Sequence, residues 1–372
     1  MITLVTLRTL SLLFLATLMF PSSAWAEKPI QLKYSKTEIE VMWRGRIRFI
    51  LDKGAIPLVD FLSFLPRENS ASVIGWTKDV MDQEGVALIS FAGYWAPKDP
   101  GCKGHCWDYF IHRVVNGDPD RFILTTNKGG NNNWWKQKSG RSQDYIEQLE
   151  QQVLSGDYPF IGQIEFRHYM SNAQCKAGKT HRDIDIPLNG PNGHRVFKLS
   201  SATSVPVSIH LEPEDSALHA LREMLEAYPK AKVIISHFGQ VRHPEKEQRF
   251  GPRLIEHMLT VYPNLYFDLS TGEPGRLYRC GTYRVLDTVI WGDDGRGGQT
   301  NSLKPEYKEL LRRFSSRFVV GFDYGPSNRQ SAGYLKQRIE NIRLILRDLP
   351  SEAKHNIGYK NAWFLLTQEV WD

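Results

Sequence analysis

Six side chains in this sequence have the types and the spacing to share one piece of chemistry. His210 is last but one in the apolar run VPVSIHL, His237 is last but one in KVIISHF, and Asp323 ends RFVVGFD. Glu165 and Arg167 alternate with Gln163 in FIGQIEFR, so all three face one side of a strand, and Glu212 follows His210 by two positions. Two imidazoles and a carboxylate at strand exits suit a divalent metal such as zinc. A metal held by His210, His237 and Asp323 would acidify a bound water, and Asp323 would accept its proton, with His237 as the second catalytic group. Glu165, Arg167 and Glu212 are the expected substrate-binding groups. Each also has a plainer reading. A strand-end histidine can simply be packed, Glu165 and Arg167 can form an ion pair within the mouth, and Glu212 can cap a loop. Asp268 in NLYFDLS is read as a bond to a neighbouring loop backbone.

The elements that would position these groups alternate along the chain. Strand-like apolar runs cover residues 56–65, 86–94, 120–127, 160–166, 205–211, 232–238, 264–270 and 317–323. Amphipathic helical segments cover 71–85, 142–156, 215–229, 252–263 and 305–315, and residues 335–366 are mostly helical. Eight strands separated by helices imply a parallel sheet with right-handed crossovers, and hence an α/β fold of the (β/α)8 barrel type. No glycine-rich phosphate-binding turn supports an open doubly wound sheet. Residues 93–119, 167–195 and 271–303 form long connections. All three follow strands, so all three belong to the C-terminal face, where a barrel places its chemistry.

Residues 1–26 read as a secretory signal peptide: Arg8, an apolar stretch from Leu10 to Phe20, and Ala24-Trp25-Ala26 before the cut. That leaves residues 27–372 as one barrel domain, exported and expected in the periplasm. No later segment is apolar enough to span a bilayer. The formal charge of +6 has no run of Lys or Arg behind it, so it reads as a solvated surface rather than a nucleic-acid face. Export favours disulfides among Cys102, Cys106, Cys175 and Cys280, and three pairings are open. A zinc site of Cys102, Cys106 and His105 lacks the usual ligand pattern. The tryptophans of NNNWW (131–135) would suit sugar stacking, but no carboxylate pair accompanies them.

The order VSIHLE, PKAKVIISHFG, NLYFDLS, RFVVGFDYG and NIGYKNAWFLL resembles the amidohydrolase superfamily, in its amidohydrolase-related branch, over about residues 56–366. VMDQEGVALISF resembles the same branch before and into strand 2. The resemblance implies a metal-bearing (β/α)8 barrel, with a small ester, lactone or amide as substrate. His210 would be the strand-5 ligand, His237 the strand-6 histidine and Asp323 the strand-8 ligand and base. One part departs from the pattern. The family's first strand ends in Asp-x-His-x-His, and here VDFLSFLP carries Asp60 followed by Leu62 and Phe64 in the two histidine positions. A fourth ligand would have to come from Glu165, Glu212 or a histidine such as His105, His168 or His181. The alternative is a degenerate, non-catalytic barrel that binds a small ligand or a protein partner.

Overall fold

The computed structural model describes residues 34–65, 70–92, 109–126, 128–129, 140–325 and 331–372. Residues 1–26, read above as a signal peptide, and Cys102, His105, Cys106 and NNNWW lie outside these residues. Eight parallel strands run in chain order: β1 (Leu58–Phe64), β2 (Val86–Ala92), β3 (Phe122–Thr125), β4 (Ile161–His168), β5 (Val207–Leu211), β6 (Val233–Ile235), β7 (Leu265–Asp268) and β8 (Phe318–Val319). Regular ladders join β1 to β3 and β4 to β8. Parallel bridges Thr125↔Phe160 and Asp60↔Val320 close the two remaining seams. The ring is a (β/α)8 barrel, as the alternating pattern predicts. Its strands are β-branched and aromatic because both faces are buried. Gly162 lets one seam close: a Cβ there would lie 2.6 Å from the Thr126 carbonyl oxygen.

One helix follows each strand: Ser70–Glu84, Tyr109–Gly117, Gly140–Leu154, Pro191–Thr203, Asp215–Ala227, Pro252–Val261, Pro305–Arg313 and Ala332–Arg347. Pro191–Thr203 escapes the sequence reading, because Gly190, Pro191 and Gly193 look like loop. Proline at the first helical turn needs no N–H partner, and Val196, Phe197 and Leu199 then face the core. At the strand entries, Trp43, Ile47 and Ile50 pack with Tyr359, Trp363 and Trp371 against Val59, Ala87, Ile123 and Phe160. Arg44 lies 4.7 Å from the rings of both Trp363 and Trp371. This plug shuts the end opposite the strand exits. Among the described residues no helix is long and apolar enough to cross a membrane.

Two of the long connections are not plain loops. Residues 271–303 hold two antiparallel ribbons, Leu277–Cys280 with Tyr283–Leu286 and Trp291–Asp293 with Gln299–Leu303. Cys175, in the β4–β5 connection, is disulfide-bonded to Cys280 in the first ribbon. Asn172 reinforces this clasp, donating to Leu277 O (2.8 Å) and accepting from Arg279 N (2.7 Å). The β4–β5 and β7–β8 connections are thus fastened together above the strand exits.

Candidate functional site

The site begins with backbone conformation. His237 and Asp323, two and four residues beyond β6 and β8, both occupy the left-handed region, with φ of 62° and 49°. This is uncommon for side-chain-bearing residues and is held only where the surroundings dictate it, a recurrent mark of functional sites. At His237 the dictating group is Asp268, whose Oδ1 accepts from the backbone N–H of His237 (3.0 Å) and of Ser270 (3.0 Å). Gly321, just past the neighbouring strand β8, makes room, since a Cβ there would lie 3.0 Å from the Asp268 carboxyl carbon. Asp268 therefore bonds a loop backbone, as read from the sequence, and the loop it holds carries His237.

The side chains form one chain of hydrogen bonds. Ser270 Oγ donates to Asp268 Oδ1. With its proton spent there, Ser270 Oγ accepts from His237 Nδ1 (2.8 Å), which also reaches Ser270 O (3.0 Å). This assigns the His237 proton to Nδ1 and leaves the lone pair on Nε2. Nε2 faces Gln163 Nε2 at 3.1 Å, and the same amide nitrogen lies 3.4 Å from His210 Nδ1. His210 Nε2 then donates to Glu212 Oε1 (3.1 Å). Glu212 Oε1 also accepts from Arg242 Nη1 (2.9 Å), and Arg242 Nε donates to Asp287 Oδ1 (3.0 Å). The network runs from the barrel mouth into the β7–β8 connection.

His168, at the end of β4, completes a row of imidazoles: its ring centroid is 4.6 Å from His210, and His210 is 4.7 Å from His237. Burial lowers His168 to about 4 and holds His210 well below the ordinary histidine value, so both are uncharged at neutral pH. Glu165 is fully buried. Burial opposes its charge, but Lys128 (2.8 Å) and Arg182 (2.7 Å) outweigh burial and keep its carboxyl below the usual range.

The other side of the mouth is apolar. Leu62 and Phe64 pack with Ala92 as a separate buried cluster, and Lys128 Nζ lies 4.3 Å from the Phe64 ring centre. Beneath them Asp60 accepts from Leu62 N (3.1 Å), Phe322 N (2.7 Å) and Ser63 Oγ, tying β1 to the β8 exit. Burial pushes Asp60 up to about 7.

A metal is implied by the resemblance to amidohydrolases, but the donor set does not fit one. A tetrahedral ion needs three or four lone pairs converging on a point. The two imidazole lone pairs converge on an amide nitrogen, and the strand-1 positions hold aliphatic and aromatic carbon. Among the described residues no three His, Cys, Asp or Glu side chains gather closely enough to hold a metal ion. His210, His237 and Asp323, the three expected zinc ligands, do not form such a group.

The structure brings His210, His237 and Glu212 into one network. Asp323 lies half-buried at the β8 exit, outside that network. Glu165 and Arg167 do not pair with each other. Arg167 binds Asp183 (2.7 Å) and Glu214 (2.9 Å) and stacks on Tyr169, which anchors the β4–β5 connection. Sequence reasoning missed Ser270, Arg242 and Lys128. Ser270 sits two residues after Asp268 and so shares its strand face, a signal that was available. Arg242 and Lys128 lie in loops and gave none.

The family model described as "Amidohydrolase" matches residues 178–366, just over half of the chain. No curated protein sequence matches it. Among solved structures, a 2,6-dihydroxybenzoate decarboxylase from Rhizobium is 12% identical, with a TM-score of 0.44, covering 84% of this chain and 99% of that one. A 5-carboxyvanillate decarboxylase from Novosphingobium aromaticivorans, solved with manganese, is 14% identical (TM-score 0.39; 88% and 92% covered). A lactonase from Listeria monocytogenes is 9% identical (TM-score 0.39; 84% and 94% covered).

Proposed function

Because the chain belongs to the amidohydrolase family, we propose that it is an enzyme of hydrolytic type that cleaves a small ester, lactone or amide at the barrel mouth, with His237 as the base. The observation that carries this reading is the Asp268–Ser270–His237 chain of hydrogen bonds, which leaves Nε2 as the bare nitrogen at a half-buried strand exit. A ligand that draws the Gln163 amide aside frees that nitrogen. Water then attacks the substrate carbonyl carbon as Nε2 takes one of its protons. The bond to the leaving oxygen or nitrogen breaks, and His237 returns the proton to it. Leu62, Phe64 and Ala92 offer the organic part of the substrate an apolar wall. Glu165, Arg167 and Glu212 act on substrate indirectly, by holding the loops and His210. The enzyme works outside the cytoplasm, in the periplasm, as residues 27–372 after removal of the signal peptide. The Cys175–Cys280 disulfide supports an oxidising compartment.

The test is hydrolysis of a panel of small esters, lactones and amides by the mature protein. Activity that survives chelator and is lost in His237→Gln is the expected result. Activity abolished by chelator and restored by zinc would overturn it. A second reading, a non-catalytic barrel that binds a small organic ligand, is favoured by the apolar residues at the two strand-1 positions. It is recognised by thermal stabilisation with organic ligands and no turnover of any panel member.

A further inference from the structure

We infer that Gln163 stands in the place of a metal ion: one amide group holds together the two histidines that a cation would otherwise bridge, and excludes the cation by doing so. One atom, Gln163 Nε2, lies 3.4 Å from His210 Nδ1 and 3.1 Å from His237 Nε2. An amide NH2 has two hydrogens, one for each acceptor. The far nitrogen of each ring donates outward, His210 Nε2 to Glu212 Oε1 and His237 Nδ1 to Ser270, so both rings present lone pairs to the amide. Every donor in this group has an acceptor, and the pattern is consistent with only one tautomer at each ring.

A cation entering here would have to displace the amide to reach the two nitrogens that the amide now bridges. The two glutamates of this network each already place Oε1 on protein cations: Glu212 on Arg242, and Glu165 on Lys128 and Arg182. Those three positive groups also oppose a second positive charge in the same low-dielectric mouth. Across the mouth, Leu62 and Phe64 offer no donor atom. Replacing the one residue that supplies hydrogens with one that supplies lone pairs should therefore create the affinity that the native protein lacks. The inference goes beyond the hydrolytic reading, because metal uptake is measured without any substrate.

The experiment titrates the mature protein and its Gln163→Glu variant with zinc sulfate, by calorimetry and by metal analysis after desalting. The expected result is no stoichiometric zinc on the native protein and stoichiometric zinc on Gln163→Glu, bound roughly 100-fold more tightly than by the native chain. Stoichiometric zinc on the native protein overturns the inference, as does a folded Gln163→Glu variant that gains nothing. Imidazole 15N spectra of the native protein keep the inference testable if the variant does not fold. They should show His210 protonated on Nε2 and His237 on Nδ1, unmoved by zinc; rings that shift together on zinc addition refute it. A protein that hydrolyses nothing yet passes these tests would sink the proposed activity and leave Gln163's role standing.

Discussion

The two halves of the barrel mouth solve the same problem in opposite ways. At the β5 and β6 exits, His210 and His237 are polar, buried and connected through Gln163, Glu212 and Ser270 to groups that extend into the loops. At the β1 exit, Leu62 and Phe64 are as buried, but their side chains present carbon, packed with Ala92 and lying beside the cation of Lys128. A metal site needs both halves to supply lone pairs. Here one half supplies hydrogen-bonded nitrogen and the other supplies carbon, so the mouth has two chemically different sides. The polar half is stable only if every member keeps its partner. The apolar half depends on volume alone.

That contrast is sharpest when each half loses one residue. Arg242→Ala strips buried Glu212 of its cation and leaves Asp287 with Arg276 alone, and the expected loss is about 4 kcal/mol. Leu62→Ala removes carbon from a 2% exposed position and should cost about 3 kcal/mol through the cavity it leaves. The sharper difference is chemical. Arg242→Ala should disturb the His210 imidazole signal, and Leu62→Ala should leave it in place. Chemical denaturation with histidine NMR reads both. Equal disturbance of His210 by the two variants would mean that the halves are not separate.

The barrel was legible in the sequence because each strand is a short β-branched or aromatic run bounded by turn residues, and both faces of each run are buried. Those runs also set His210, His237 and Asp323 at strand exits. What lay beyond reading was which exit residues meet. The Gln163 side chain could be placed on the inward face by alternation, but its position between two imidazoles depends on the stagger of β4 against β5 and β6. Arg242 and Lys128 come from loops whose course is set by tertiary contacts, the former by Glu212 and Asp287 and the latter by Glu165 and Phe64. The resemblance that pointed to the mouth also carried an expectation of zinc, and the two carbon side chains at strand 1 were the sequence's own evidence against it.

A buried acid lies on each side, and both are pushed upward, Asp60 to about 7 beneath the apolar half and Glu247 to about 8 beside Arg242. Burial is the largest cause in each case, with Glu212 adding at Glu247 and, more weakly, Asp268 at Asp60. An acid whose folded value is raised keeps its proton in the folded state after the unfolded chain has lost it. Its contribution to stability is therefore present at low pH and disappears as pH rises through the folded value. Each group should remove about 1.4 kcal/mol per pH unit across that window. His168, lowered to about 4, and His210, held well below its ordinary value, work in the opposite sense below 6.5, so together they offset the two acids there and not above. Thermal melts should thus show stability falling from about pH 6.5 to 8, with Glu247→Gln removing the upper part of the fall and Asp60→Asn the lower part. Melts that stay level across that range would show that neither acid is held protonated.

The smallest expected effect separates the two histidines within the polar half. His210 is oriented by Glu212, itself paired with Arg242, whereas His237 is oriented by a hydroxyl, Ser270 Oγ, with Ser270 O as a second acceptor for the same proton. Ser270→Ala removes only the first acceptor. The carbonyl remains at 3.0 Å and is itself fixed by Arg338 Nη2, also at 3.0 Å, so the Nδ1–H tautomer should persist and the fold should lose only about 1 kcal/mol. What changes is the precision with which Nε2 is aimed. For any substrate that the native protein hydrolyses, kcat should fall several-fold while KM holds, because the lost bond steadies the base rather than the ligand. Ser270→Thr keeps the hydroxyl and should restore the rate. A Ser270→Ala variant that raises KM and leaves kcat alone would place Ser270 against the ligand and remove it from the chain that positions His237.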